Sequence, residues 1–415
     1  MKYFLIILIL IISFSAFAEI LIPMDLTQTN HLKAYGVTFA ALQKQFAVKW
    51  LLNYRGGSWI IPDSQEIEGL CNIRGVSYEI VTGGEIASIS AEIEQENMDI
   101  VILEKEPTIA IYSPPNAQPW DDAVTLALTY AEIEYETIFD EEVLLGNLDK
   151  YDWLHLHHED FTGQYGKFYA SFRNAAWYQE DVRINEEIAT KLGFDKVWKL
   201  KHAVVEKIKE YVKNGGFLFA MCAATDTFDI ALATRNVDIC DAIFDGDGID
   251  PDYKNKMDFS QTFAFKDFSL ITNPYQYEFS SIDASDYAKL RGAEADYFSL
   301  FDFSAKYDPV PTMLTQCHTS VINGFLGQTT SFHKRFVKNS VIILGEAPQV
   351  EEVKYLHGNF GKGTFTFYGG HDPEDYQHKI GDPETVLDLH KNSPGYRLIL
   401  NNILFPAAEK KKLKT

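Results

Sequence analysis

Cysteine is scarce in this sequence, basic residues are outnumbered and long apolar runs are missing, and each shortage removes a class of protein. The four cysteines, Cys71, Cys222, Cys240 and Cys317, are widely spaced and form no CxxC pair. That excludes a zinc ribbon and a small disulfide scaffold. An oxidising compartment would still permit one or two bridges, which sequence alone does not pair. Lysine and arginine number 37 against 59 aspartates and glutamates, for a net charge of −22. A chain so acidic repels phosphates, so neither nucleic acid nor an anionic lipid surface is an expected partner. The basic tail Lys410-Lys411-Lys412 is too short to reverse this. The one strongly apolar run, residues 4–14, is well short of the roughly 20 needed to cross a bilayer as a helix.

That run has another use. Lys2 precedes it, and Ala16-Phe17-Ala18 follows with the small-x-small pattern of a cleavage site, making Glu19 the expected first mature residue. Residues 1–18 therefore read as a signal peptide. No cysteine stands at the cleavage point to take a lipid anchor. The expected product is periplasmic or secreted, with no membrane insertion after cleavage. About 397 residues remain, enough for two or three domains with sizeable cores.

Hydrophobic patterning divides the rest. Over 19–106 it predicts an α/β unit with strands at 20–24, 48–52 and 76–81 and a helix over 31–46, closed by a charged linker at 104–107. A cleaner series follows over 107–235. Strands are predicted at 108–112, 135–139, 153–157 and 217–221, and helices at 202–213 and 227–233. Asp121 is the expected N-cap of a helix whose apolar face carries Val124, Ala127, Leu128 and Ala131. Alternating strands and helices imply a mostly parallel sheet covered on both faces. Residues 236–340 change character, with short aromatic strands expected at 262–265 and 277–279, and look like an inserted subdomain. Core strands return at 341–344 and 364–368 within a closing segment, 341–415.

Candidate chemistry gathers at strand ends. In Gly215-Gly216-Phe-Leu-Phe-Ala-Met-Cys222-Ala-Ala, a cysteine closes a buried strand directly before a helix. Ligands bind at the carboxyl ends of parallel strands, and a helix N-terminus stabilises a thiolate. The bland alternative is an inert buried thiol. His155-Leu-His157-His158-Glu159-Asp160 ends another strand. Alternation places His155 and His157 on one face and His158 on the other. These residues suit pocket lining or substrate contact, a structural role, or a zinc-type metal with a third ligand from His371, Asp372 or His378. No other cofactor is expected. Asp245, Asp247, Asp250 and Asp252 form either a calcium loop without EF-hand spacing or, preferably, a solvated acidic turn. The aromatics Phe168, Tyr169, Phe172, Trp177 and Tyr178 fit a lid or, more readily, the packing of an inserted helix.

The elbow around Cys222, together with Gly361-Lys-Gly-Thr-Phe-Thr-Phe-Tyr-Gly-Gly-His371, resembles the class I glutamine amidotransferase-like superfamily, and its trehalose-utilisation-protein-like branch in the closing Gly-His. The resemblance covers about 107–235 and 340–405. It implies a flavodoxin-like α/β sandwich in which Cys222 is the nucleophile and His371 the base. The family's acid normally lies two residues past the histidine, where this chain has Pro373; Glu374 or Asp372 is left to orient the ring, Glu374 by preference. The elbow also lacks the usual glycine after the nucleophile. Over its whole length the chain is similar to exported proteins labelled asparagine synthetase B, yet the residue after Met1 is Lys2, not cysteine, and no Ser-Gly-Gly-x-Asp-Ser loop occurs. The expected activity is hydrolysis or transfer of a carboxamide or related acyl group. The rivals are a non-catalytic sugar- or peptide-binding protein and a metal hydrolase built on His155, His157 and His158.

Overall fold

The computed structural model describes residues 18–116, 122–347 and 349–410; residues 1–17 of the expected leader and the expected cap Asp121 lie outside the described residues. The described residues are mixed α/β and form two sheets. The first holds β1 (Glu19–Ile22), β2 (Val48–Leu52), β3 (Ser58–Pro62), β4 (Glu79–Val81) and β5 (Asp99–Leu103) in the order β4-β1-β3-β2-β5. Every pairing in it is antiparallel. The β2–β3 hairpin closes through Asn53, Arg55, Gly56 and Gly57, all at positive φ, a conformation glycine adopts without cost. Helices His31–Gln43, Gln65–Arg74 and Gly83–Gln95 complete this unit.

The second sheet is mixed. Its parallel half comprises β6 (Ile109–Tyr112), β7 (Glu136–Ile138), β8 (Trp153–Leu156), β9 (Phe217–Met221) and the late strand β15 (Gly363–Tyr368). The antiparallel half adds β10 (Tyr297–Leu300), β11 (Val321–Asn323), β12 (Phe332–His333), β13 (Ile342–Ala347) and β14 (Glu352–Phe360). Residues 236–340 therefore extend the same sheet through β10, β11 and β12.

Side-chain alternation splits β6, β8 and β9 between two cores. Ile109, Ile111, Trp153, Phe217, Phe219 and Met221 face the N-terminal unit, while Ala110, Tyr112, Leu154, Leu156, Leu218 and Ala220 face the helices Val197–Asn214 and Ala223–Ala233. Both faces being covered, these strands read as continuous apolar runs.

The expected strands at 262–265 and 277–279 do not form. The Asp229 carboxylate instead accepts the backbone N–H groups of Phe263, Ala264 and Phe265 at 2.6, 2.8 and 2.8 Å. Those donors are thereby withdrawn from any ladder, and the segment contributes only an isolated bridge.

The two sheets are joined through helix His31–Gln43, which packs on helices Ala123–Ala131 and Pro394–Leu404. A Cβ on Gly36 would lie 1.8 Å from the carbonyl oxygen of Ala131, so this crossing requires glycine. Arg397, fully buried, donates to the Met24 and Gly56 carbonyls and to the Tyr35 hydroxyl. None of the described helices is long and apolar enough to cross a membrane.

His202, in helix Val197–Asn214, has both ring nitrogens buried without a hydrogen-bond partner among the described residues. Burial lowers its pKa from 6.5 to about 4. The unfolded chain thus takes up a proton that the folded chain refuses, and stability is lost as pH falls from 6.5 towards 4. His202→Phe is expected to remove about 3 kcal/mol of that loss, seen as a lower acid-unfolding midpoint by circular dichroism. An unchanged midpoint would refute the assignment.

Candidate functional site

Three adjacent parallel strands stop level with one another. Leu156 of β8 aligns with Ala220 of β9, and Met221 with Tyr368 of β15. The residues that leave these strands therefore converge, and segments more than 60 and more than 140 positions apart in the chain meet at one edge. His157, His158 and Glu159 come from the first, Cys222 from the second, Gly370 and His371 from the third.

Cys222 has φ 49° and ψ −137°, a left-handed conformation for a residue with a Cβ. Such backbone costs on the order of 1–3 kcal/mol and persists only where its surroundings hold it. Here its N–H donates to the Gly370 carbonyl at 3.2 Å, and helix Ala223–Ala233 begins at the next residue, with Ala224 N–H donating to the His157 carbonyl at 3.1 Å. The sulfur accepts the backbone N–H of Gln328 at 3.3 Å. Burial pushes the thiol up to about 11, against the pull of the N–H groups of Gln328, Thr329 and Ala223.

Gln328 is strapped across the site. Its side-chain amide donates to the carbonyls of Gly166 (2.7 Å) and Tyr277 (3.1 Å). The loop that carries it lies against the His371 turn, where His371 N–H donates to the Leu326 carbonyl and Gly370 N–H to that of Thr329. A Cβ on Gly327 would lie 2.8 Å from the His371 nitrogen, so this approach also needs glycine.

His371 sits in a cluster of imidazoles. Its ring centroid is 4.3 Å from that of His157, 5.9 Å from His158 and 3.9 Å from His378, on which it stacks. Both its nitrogens are buried without a hydrogen-bond partner among the described residues, and no Cys222–His371 hydrogen bond forms. Burial, with the neighbouring imidazoles, holds its pKa well below the ordinary histidine value. His158 was expected on the opposite face from His157. The strand ends at Leu156, so alternation stops there, and the two rings lie 5.4 Å apart. His158, Cys222, Tyr277, Gln328 and His371 are among the residues around a cavity of about 140 Å³.

Behind this cluster lies Asp122. One of its oxygens accepts Val124 N–H (2.7 Å) and Thr125 N–H (3.1 Å), capping helix Ala123–Ala131. The same oxygen is 3.3 Å from His157 Nδ1, and the other is 3.4 Å from His155 Nε2. Burial raises its pKa, but the two imidazoles outweigh burial and hold the carboxylate well below its usual range. His155 is a second-layer residue rather than a cavity one: its Nδ1 donates to the Phe219 carbonyl at 3.1 Å and its Nε2 faces His157 Nδ1 at 3.2 Å. Glu159 accepts the His157 N–H at 2.8 Å, and burial together with the charge of Asp122 pushes its carboxyl up to about 7.

The expected acids do not reach His371. Glu374 pairs with His390 Nδ1 at 2.9 Å. The Asp372 carboxylate accepts Glu374 N–H (2.8 Å) and the Thr385 hydroxyl (2.7 Å). Both choices for the orienting carboxylate are thus corrected: the turn after His371 folds them away, towards the segment 385–390. The carboxylate that faces the rings of His155 and His157 is Asp122, which the sequence concealed as one of two adjacent aspartates before a helix. Gln328 left no signal in the sequence at all.

Elsewhere, Lys196 Nζ reaches the Asp245 carbonyl (2.7 Å) and Asp247 Oδ1 (2.6 Å), so an ammonium already spans part of the acidic turn. Phe168 packs against Phe172 and Trp177 while also lining the cavity. All four cysteines are free thiols. A wider cleft of about 860 Å³ at the amino ends of β9 and β15 has no imidazole or thiol in its lining.

No family model matches this sequence, and no curated protein does. Among solved structures, the cytoplasmic protein STM3548 of Salmonella typhimurium is similar at 10% identity over 73% of this chain and 100% of its own, with a TM-score of 0.36. Cytoplasmic protein STM1381 from Salmonella typhimurium LT2 gives 11% identity, 73% and 99% coverage and 0.35. A β-galactosidase from Bacillus circulans sp. alkalophilus gives 11%, 70% and 32%, and 0.26. None of these likenesses is strong enough to carry an argument.

Asp122 holds a helix cap and two buried imidazoles, whereas Glu374 holds one partly exposed pair. Asp122→Ala is expected to cost about 2–4 kcal/mol in urea unfolding, and Glu374→Gln less than about 1 kcal/mol. Equal losses would contradict these assignments.

Proposed function

We propose that this chain is an exported hydrolase or acyl transferase of the class I glutamine amidotransferase-like kind, with a flavodoxin-like second domain, acting on a carboxamide or related acyl group at Cys222. The observation that carries the reading is the left-handed elbow at Cys222, which turns its sulfur towards backbone N–H groups in a cavity shared with His371. In this reading His371, neutral at pH 7 because its pKa is depressed, takes the thiol proton as the sulfur attacks the acyl carbon. The N–H groups of Gln328 and Ala223 are the donors at hand for the oxygen that becomes negative. The amine leaves with the proton held by His371, and water then cleaves the thioester to the acid and regenerates the thiol. Export is supported by the apolar leader and by the start of β1 at Glu19, the first residue after the expected cleavage point. The charge of −22 favours a small-molecule, sugar or peptide ligand over nucleic acid.

A second reading, a non-catalytic binding protein, is favoured by the pairing of Glu374 with His390 and by the high pKa of the thiol. Labelling with an electrophilic carboxamide analogue separates the two. The enzyme is expected to be labelled once, at Cys222, with loss of labelling in Cys222→Ala and slowing by about 100-fold in His371→Ala. A plain alkylating agent should instead react about tenfold faster per pH unit between 7 and 9, since the thiol titrates near 11. Labelling unchanged in Cys222→Ala would remove the nucleophile.

A further inference from the structure

His371 is 6% exposed, and neither of its ring nitrogens has a hydrogen-bond partner among the described residues. Leaving a buried polar group unsatisfied is costly, and this ring has two such atoms. No acid turns towards it, since Glu374 and Asp372 are engaged elsewhere. What surrounds it instead is imidazole. One nitrogen each of His157, His158 and His371 can be chosen so that all lie within 4.8 Å of one another, a spacing that one ion in the middle can satisfy.

We infer that His157, His158 and His371 are the ligands of a divalent transition-metal ion of the zinc class, with Asp122 as the positioning residue behind His157.

The chemistry of the donors selects the ion. Three imidazoles are nitrogen ligands of intermediate softness, which suit zinc, cobalt, nickel or copper; calcium and magnesium require oxygen. The arrangement behind His157 is that of a metal-bound histidine. Its Nδ1 faces the Asp122 carboxylate at 3.3 Å and His155 Nε2 at 3.2 Å, which commits the Nδ1 proton outward and leaves Nε2 as the lone-pair atom. Asp122, His155 and His157 are themselves close enough to hold an ion. Their polar atoms already bond to one another and to the Phe219 carbonyl, so they form the supporting layer instead. Cys222 stands outside the trio, its sulfur turned to Gln328 N–H.

The inference shares the cavity of the proposed function, and it adds a regulation of that site which rests on that reading. An imidazole that gives one lone pair to a metal carries its proton on the other nitrogen and can no longer accept one. Ion and thiol therefore compete for His371, and a loaded centre withholds the base from Cys222.

Full-length mature protein, freed of metal by a chelator and titrated with Zn²⁺ alone in a calorimeter, is expected to take up one ion per chain. Co²⁺ in its place is expected to give visible ligand-field absorption of a nitrogen-ligated site. His157→Ala and His371→Ala should each weaken uptake by about 100-fold, and Asp122→Asn by about 10- to 100-fold; Cys222→Ser should leave uptake unchanged. Wild-type protein that takes up no Zn²⁺, or both histidine variants binding it as wild type does, overturns the site. The wild-type titration decides the first of these even if a variant fails to fold. Chelation is also expected to speed carboxamide labelling of Cys222 at least tenfold. A labelling rate indifferent to zinc overturns the competition. Labelling absent in both states, with one zinc still bound, overturns the proposed function and leaves the metal site standing.

Discussion

The parallel pairing of β15 with β9, and of β9 with β8, is the constraint on which the rest of this molecule depends. Five consecutive pairs from Thr364–Phe217 to Tyr368–Met221, and four from Trp153–Phe217 to Leu156–Ala220, fix the relative height of three strands. A slip of one residue would reverse every side chain between the two cores, exchanging Phe217, Phe219 and Met221 for Leu218 and Ala220. That register is therefore held by hydrophobic burial. Its by-product is chemical: three strand ends arrive together, and each delivers a polar residue to a region with little water.

Burying so many polar groups demands that they be satisfied, and the structure does this by assigning one carboxylate to several donors. Asp122 serves a helix start and two histidines, and Asp229 serves three consecutive amides of the segment 263–265. Asp160 gathers the N–H groups of Thr162, Gln164 and Gly166 to shape the loop beside the cavity. Arg397 works in reverse, its guanidinium shared among carbonyls and a hydroxyl at the junction of the two sheets. Against that pattern His371 is conspicuous, because its backbone is tied down on both sides of the turn while its ring is not.

The parallel strands were legible because two covered faces impose uninterrupted apolar runs, and 108–112, 153–157, 217–221 and 364–368 are such runs. Helix Ala123–Ala131 was legible from its apolar face, although its cap is Asp122. The segments 262–265 and 277–279 misled because an aromatic-rich stretch has strand propensity whether or not a partner edge exists. The amides of residues 263–265 went to a carboxylate more than thirty positions earlier, which no local pattern encodes. In the site, Cys222, His157, His158 and His371 were identifiable from residue type and place at strand ends. Glu374 was not its acid, because nearness in sequence after a turn says nothing about direction.

Local rules of alternation, helical spacing and turn chemistry determined, from the sequence by itself, an acidic α/β chain with a cysteine and histidines at the carboxyl ends of buried strands. Which of those residues share a cavity was decided only by tertiary structure. Residues 122, 157, 222, 328 and 371 meet through strand pairing and loop packing between segments far apart in the chain. Such contacts depend on the closure of the whole sheet, and their energy is written in no single stretch of it.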